Sequence, residues 1–147
     1  MFDRYTDGAR CCIFYAREAV FEYGSATIET EHLLLGILKE APNIITRFLP
    51  SKTNAEIRAE VEKGIVVKPK IPTTVDIPIS KEGGRILTLA LEEAKMLGHR
   101  YVGVEHLLLG VLREEEGVAG QILRLAGLNV EAVRLRQQLS LGEAETE

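Results

Sequence analysis

The chain has 147 residues, 46% hydrophobic and 27% charged, which excludes the disordered and collagen-like classes and fits one domain with a sizeable core. With 18 Lys and Arg against 22 Asp and Glu, the net charge is −4, and no broad cationic footprint for nucleic acid or an anionic membrane results. The segment Met1-Phe2-Asp3-Arg4-Tyr5-Thr6-Asp7 carries no apolar signal stretch, and no apolar run nears the roughly 20 residues that span a bilayer, so a soluble, cytoplasmic protein is expected.

The first predicted helix opens at Thr6, a good N-cap, and carries Ala9, Cys12, Ile13, Ala16, Val20 and Tyr23 along one face until Gly24 stops it. Cys11 and Cys12 diverge by about 100° around the axis, which rules against a disulfide between them. A second helix begins near Thr30 and is apolar around most of its circumference, as a helix buried on several sides must be. Its Gly36 implies close approach of another helix. Two shorter helical patterns follow, Ile44 to Leu49 and Asn54 to Lys63. Residues 65–79 contain Pro69, Pro72 and Pro78, which forbid a helix and favour an extended connector. Ser80 then caps a helix striped by Ile86, Leu87, Ala90, Ala94 and Leu97 and stopped by Gly98; another begins near Val104. Val118 to Ala126 and Val130 to Leu139, the latter capped by Asn129, complete the series.

These elements are one unit used twice. Glu31-His32-Leu33-Leu34-Leu35-Gly36-Ile37-Leu38 recurs 74 positions later as Glu105-His106-Leu107-Leu108-Leu109-Gly110-Val111-Leu112, and the same shift carries Thr6 onto Ser80, Ala16 onto Ala90, Glu18 onto Glu92 and Gly24 onto Gly98. The expected fold is all-α: eight helices in two pseudo-twofold four-helix repeats, joined by an extended proline-containing linker. A double-repeat domain over 1–142 divides into repeat 1 (2–64), linker (65–79) and repeat 2 (80–140), with an acidic tail at 143–147.

The Glu-His-Leu-Leu-Leu-Gly run after Gly98-His99-Arg100-Tyr101-Val102-Gly103, continued by Arg113-Glu114-Glu115-Glu116-Gly117-Val118-Ala119, resembles the N-terminal repeat domain of Clp-type AAA+ unfoldases, and is most similar to the ClpC branch. The resemblance covers about residues 2 to 140. It implies a domain that receives adaptor proteins and substrate polypeptides for an ATP-driven unfolding ring, with no catalysis of its own. Against that pattern, Glu29 stands where Gly103 stands, and Val104 takes the place of Thr30. No Gly-Lys pair occurs, so this chain lacks the phosphate loop of nucleotide hydrolysis and binds no nucleotide by it. It is either the front domain of an unfoldase or a free-standing homologue that delivers or sequesters adaptors and substrates.

Glu31 and Glu105 are the leading candidate site residues. Each sits in the first turn of a helix, where backbone N–H groups favour an anion while the carboxylate suits a guanidinium. The resemblance implies recognition of phosphorylated arginine there, with Thr30, Thr6 and Ser80 completing the candidate set. The competing role is stabilisation of the helix N-terminus by about 0.3–1 kcal/mol. On the first helix, Arg10, Phe14, Arg17 and Phe21 fall within about 60° of one another and read as a protein-binding surface, unless the connector or the tail covers the rings. A rival class, a small hydrolase or metal enzyme on His32, His99 and His106, lacks the His-Glu-x-x-His spacing and any recognisable nucleophile motif. No cofactor and no metal is expected, and the histidines at the second position of each buried helix read as hydrogen-bonded packing residues.

Overall fold

The computed structural model describes residues 4–139. Among the described residues there are eight helices: α1 (Asp7–Tyr23), α2 (Thr30–Glu40), α3 (Ile44–Phe48), α4 (Asn54–Lys63), α5 (Lys81–Met96), α6 (Val104–Arg113), α7 (Val118–Ala126) and α8 (Val130–Leu139). They form two four-helix repeats, with α1 packed along α2 and α5 along α6. The acidic tail predicted at 143–147 lies outside the described residues.

Capping fixes the starts. The Thr6 hydroxyl accepts from the Ala9 N–H at 3.1 Å, Ser80 from Gly83 at 3.0 Å, and the Asn129 side chain from Ala132 at 2.8 Å. Thr53 and Glu56 cap α4 reciprocally, each side chain taking the other's backbone N–H. At the ends of α1 and α5, Gly24 and Gly98 adopt φ of 72° and 73°, a conformation that side-chain-bearing residues rarely reach. The third helix closes at Phe48, one residue before the expected Leu49. Leu49 precedes Pro50, which pushes it out of the helical region to ψ 88°.

The core runs through both repeats. Leu34, Ile37, Leu107, Leu108 and Leu109 are fully buried, and the stripe residues Ala9, Cys12, Ala16, Val20, Ile86, Ala90 and Ala94 pack against them. Gly36 and Gly110 allow the closeness of each helix pair: a Cβ on Gly36 would strike the Cys12 carbonyl oxygen, and one on Gly110 the Ile86 carbonyl oxygen. Cys12 and Ile86 are themselves 74 positions apart.

The repeats clasp each other through short extended segments. Tyr5 pairs with Val102, and Ile79 with Ile28. The Thr6 N–H donates to the Val102 carbonyl at 2.9 Å and the Val102 N–H to Arg4 at 2.7 Å, while the Ser80 N–H donates to Ile28 at 3.0 Å and the Ile28 N–H to Pro78 at 2.9 Å. Every residue of the first clasp lies 74 positions from its counterpart in the second, so the exchange is reciprocal, as a twofold relation requires. The connector contains no helix, as its prolines predict. It folds back on α1, with the Lys68 and Ile71 N–H groups donating to the Tyr23 and Phe21 carbonyls at 2.9 and 3.2 Å. No helix of the described residues is long and apolar enough to cross a membrane.

Candidate functional site

The first turns of α2 and α6 are built alike. The residue before each helix, Glu29 or Gly103, donates its backbone N–H to the Nδ1 of the histidine three positions on, at 2.9 Å to His32 and 2.8 Å to His106. Each histidine thus supplies the returning half of a capping box. His106 carries a second bond, Nε2 to the Nδ1 of His99 at 2.7 Å. Because Nδ1 of His106 is an acceptor, its proton sits on Nε2 and is donated to His99. Burial, with the neighbouring His99, pushes the His106 pKa down to about 4; burial also lowers that of His32 against the opposing pull of Glu31 and Glu29. All three histidines are buried, held as structural parts of loops and helix ends. The hydrolase or metal reading therefore has no accessible imidazole to start from. Among the described residues no group of three or more His, Cys, Asp or Glu could hold a metal ion. Cys12 is buried, which pushes its thiol pKa up and away from nucleophilic chemistry.

The two glutamates differ. Glu105 accepts a hydrogen bond from Arg47 of the other repeat at 2.7 Å, so a guanidinium already occupies its carboxylate. Glu31 forms no ion pair among the described residues; its carboxylate accepts a long 3.4 Å hydrogen bond from the Thr30 hydroxyl. Under the repeat shift Arg47 corresponds to Gln121, which brings no charge to Glu31. Glu31 instead borders a hollow of about 180 Å³ with Tyr23, Ser25, His32 and the connector residue Lys68. Thr30 is buried and is also within 3.4 Å of the Ala119 N–H of repeat 2, a bond Val104 cannot return. Thr6 and Ser80 are engaged as caps, and the clasps set them crosswise, Thr6 beside the loop leading to Glu105 and Ser80 beside the loop leading to Glu31.

The predicted aromatic surface does not hold together. Phe14 is 58% exposed, but Phe21 is 8% exposed because the connector crosses α1 there, through the bond from the Ile71 N–H to its carbonyl. The Arg17 guanidinium lies over the Phe21 ring at 5.2 Å, and Arg10 pairs with Asp7 at 2.8 Å. What remains is one exposed ring.

Repeat 2 also contains a charged cluster not foreseen from its sequence. Glu93 of α5 is fully buried, and its carboxylate takes bonds from Arg134 at 2.6 and 2.8 Å and from Arg113 at 2.8 Å, while Arg113 reaches Glu92 at 2.8 Å. Burial pushes the Glu93 pKa up, and the two guanidinium groups outweigh it and hold the group below the ordinary carboxylate range. Its sequence signal was a glutamate set against Ala90 and Ala94 on the inward face. Arg47 and Lys68 left no such signal, since both reach their positions through chain paths that periodicity does not encode.

Residues 4–143 match the Clp repeat (R) N-terminal domain family. Over 145 residues, 97% of this chain, it is 39% identical to the ATP-dependent Clp protease ATP-binding subunit ClpA homolog of Guillardia theta, spanning 18% of that protein. Over 146 residues, 98% of the chain, it is 39% identical to the chloroplastic chaperone protein ClpC1 of Oryza sativa subsp. japonica, spanning 16%. Its fold is shared by the N-terminal domain of the caseinolytic protease associated chaperone ClpD from Arabidopsis thaliana (TM-score 0.74, 23% identity, 94% of this chain and 97% of that one). The Hsp104 N-terminal domain from Candida albicans is similar to it in the same way (TM-score 0.75, 20% identity, 97% of this chain and 94% of that one). The chain spans less than a fifth of the curated relatives it matches. By the match over nearly its whole length, this chain belongs to the Clp repeat N-terminal domain family.

Proposed function

We propose that this chain is a protein-receiving domain of a Clp-type unfoldase system, docking adaptor or substrate polypeptides, and that its first repeat recognises phosphorylated arginine. The Arg47–Glu105 pair carries the reading, because it places a guanidinium on the first-turn carboxylate of α6 at 2.7 Å. Glu31 offers the equivalent carboxylate in repeat 1, beside a hollow walled by the cation of Lys68. Phosphorylated arginine has both charges this place suits: the carboxylate takes the guanidinium, while Lys68 and the helix N-terminus favour the phosphate. In repeat 2 the molecule's own arginine fills the position.

Titration calorimetry with a short phosphoarginine peptide tests this. Charge-assisted hydrogen bonds are worth about 1.5–3 kcal/mol, so Glu31→Ala should weaken binding at least tenfold. Glu105→Ala should change it little, and Arg47→Ala should open a second site and raise the stoichiometry. No binding at high micromolar concentration, or full binding by Glu31→Ala, removes phosphoarginine from the reading.

A further inference from the structure

The charged cluster of repeat 2 has a counterpart in repeat 1 from which only the central carboxylate is missing. Glu93 corresponds to Ala19 under the 74-residue shift, and Arg113 to Lys39. Arg134 corresponds to Arg58, because α8 begins 76 positions after α4 and the buried Val133 and Ile57 keep the same register. The outer pair persists as well: Lys39 lies 3.8 Å from Glu18, as Arg113 lies 2.8 Å from Glu92. Without an acid to meet, Arg58 lies along its own helix against Glu62 at 3.3 Å, and Glu62 also accepts from the Tyr23 hydroxyl at 2.8 Å. The space beside Ala19 opens as a groove of about 440 Å³, with Lys39 and Arg58 in its wall and Phe21, Leu35 and Ile71 as apolar lining. Glu22 and Lys70, also in the wall, pair with each other at 3.3 Å.

We propose that this groove receives an acidic side chain of a docked polypeptide, whose carboxylate takes the place that Glu93 fills in repeat 2. The molecule contains its own template for the bound state: one carboxylate between two cations contributed by the second helix and the fourth helix of a repeat. Lys39 meets Glu18 and also lies over the Tyr15 ring at 4.6 Å, and neither contact bars a second carboxylate, since Arg113 holds Glu92 and Glu93 together. Side-chain exposures of 59% for both Lys39 and Arg58 leave them room to turn inward. The apolar lining suits an aliphatic residue next to the acid. The groove shares only Tyr23 with the Glu31 hollow, so this proposal and the phosphoarginine reading fail separately.

The probe is a capped peptide, acetyl-Ala-Leu-Glu-Leu-Ala-amide, titrated into isotopically labelled protein and followed by backbone amide shifts. Saturable shifts are expected at Ala19, Lys39 and Arg58, with the Glu-to-Gln peptide at least tenfold weaker. Ala19→Glu should rebuild the internal cluster, weakening the peptide at least tenfold while the thermal midpoint rises. The exposed double substitution Lys39→Gln with Arg58→Gln, which touches no core residue, should also abolish the shifts and decides the matter if Ala19→Glu does not fold. Equal binding of the Gln peptide, or undiminished binding to the double variant, overturns the proposal. So does a Gln peptide with a free C-terminal carboxylate that binds as tightly as the Glu amide, because the groove would then read chain ends.

Discussion

His106 has one ring nitrogen accepting from the Gly103 N–H and the other facing His99, in a place closed to water. Burial penalises a positive charge on the ring and the neighbouring His99 adds to that penalty, against the weaker opposing pull of Glu93, which is why its pKa falls to about 4. The unfolded chain has no such resistance and protonates near pH 6.5. Between about pH 6.5 and pH 4 the unfolded state therefore binds more protons, and stability declines as the pH falls. The loss attributable to this group reaches roughly 3 kcal/mol by pH 4 and is absent above pH 6.5. Urea denaturation across that range should show the slope, and His106→Asn, whose side-chain oxygen can still accept from Gly103, should flatten it. Buried apolar residues give a second prediction at this scale. Leu34→Ala and Leu108→Ala, both fully buried, should each cost about 2–5 kcal/mol, and denaturation midpoints unchanged within error would count against the central position of these helices. Sequence placed His106 as a packing residue from its position in an apolar helix. It did not reveal His99 as the partner, because the turn after Gly98 decides where that ring falls.

The pairing of α1 with α2, and of α5 with α6, depends on a glycine in the middle of a helix. Gly36→Ala or Gly110→Ala would drive a methyl group into a backbone carbonyl, which cannot rotate away as a side chain can. The helix pair must separate, at a cost of about 1–3 kcal/mol or more, in spite of alanine's better helix propensity. Chemical denaturation of the two single variants measures this, and stabilisation by either would refute the close-packing role. Element boundaries were legible because capping and stopping residues are local: Thr6, Ser80, Asn129, Gly24 and Gly98 each act within a few positions of where they stand. The connector was legible as a helix-free, extended stretch, but its course was not. Its course over Phe21, which removes half of the expected aromatic surface, follows from backbone bonds to Tyr23 and Phe21 that no side-chain pattern announces.

At the scale of the whole molecule, each repeat lends an extended segment to the other. A fragment ending at residue 64 loses the Val102 partner of Tyr5 and the Ile79 partner of Ile28 together, along with the opposing core. It should give no cooperative thermal transition by circular dichroism, whereas the intact chain should melt in one step. The 74-residue repeat made this architecture readable before any coordinates, but the same regularity concealed the candidate sites. Arg47, which meets Glu105 and has Gln121 as its counterpart, and Ala19, whose counterpart is Glu93, are both departures from it. The crossing pairs Tyr5 with Val102 and Ile79 with Ile28 also meet the definition of an isologous interface, in which patch i meets patch j on one side and j meets i on the other. Such an interface normally joins two identical chains, where every substitution appears twice and both binding surfaces change together. Here the two copies are covalently joined, so a substitution enters one half alone. One half can thus hold its carboxylate between two arginines as structure while the other leaves the same position open to a ligand, within a single frame that neither change disturbs.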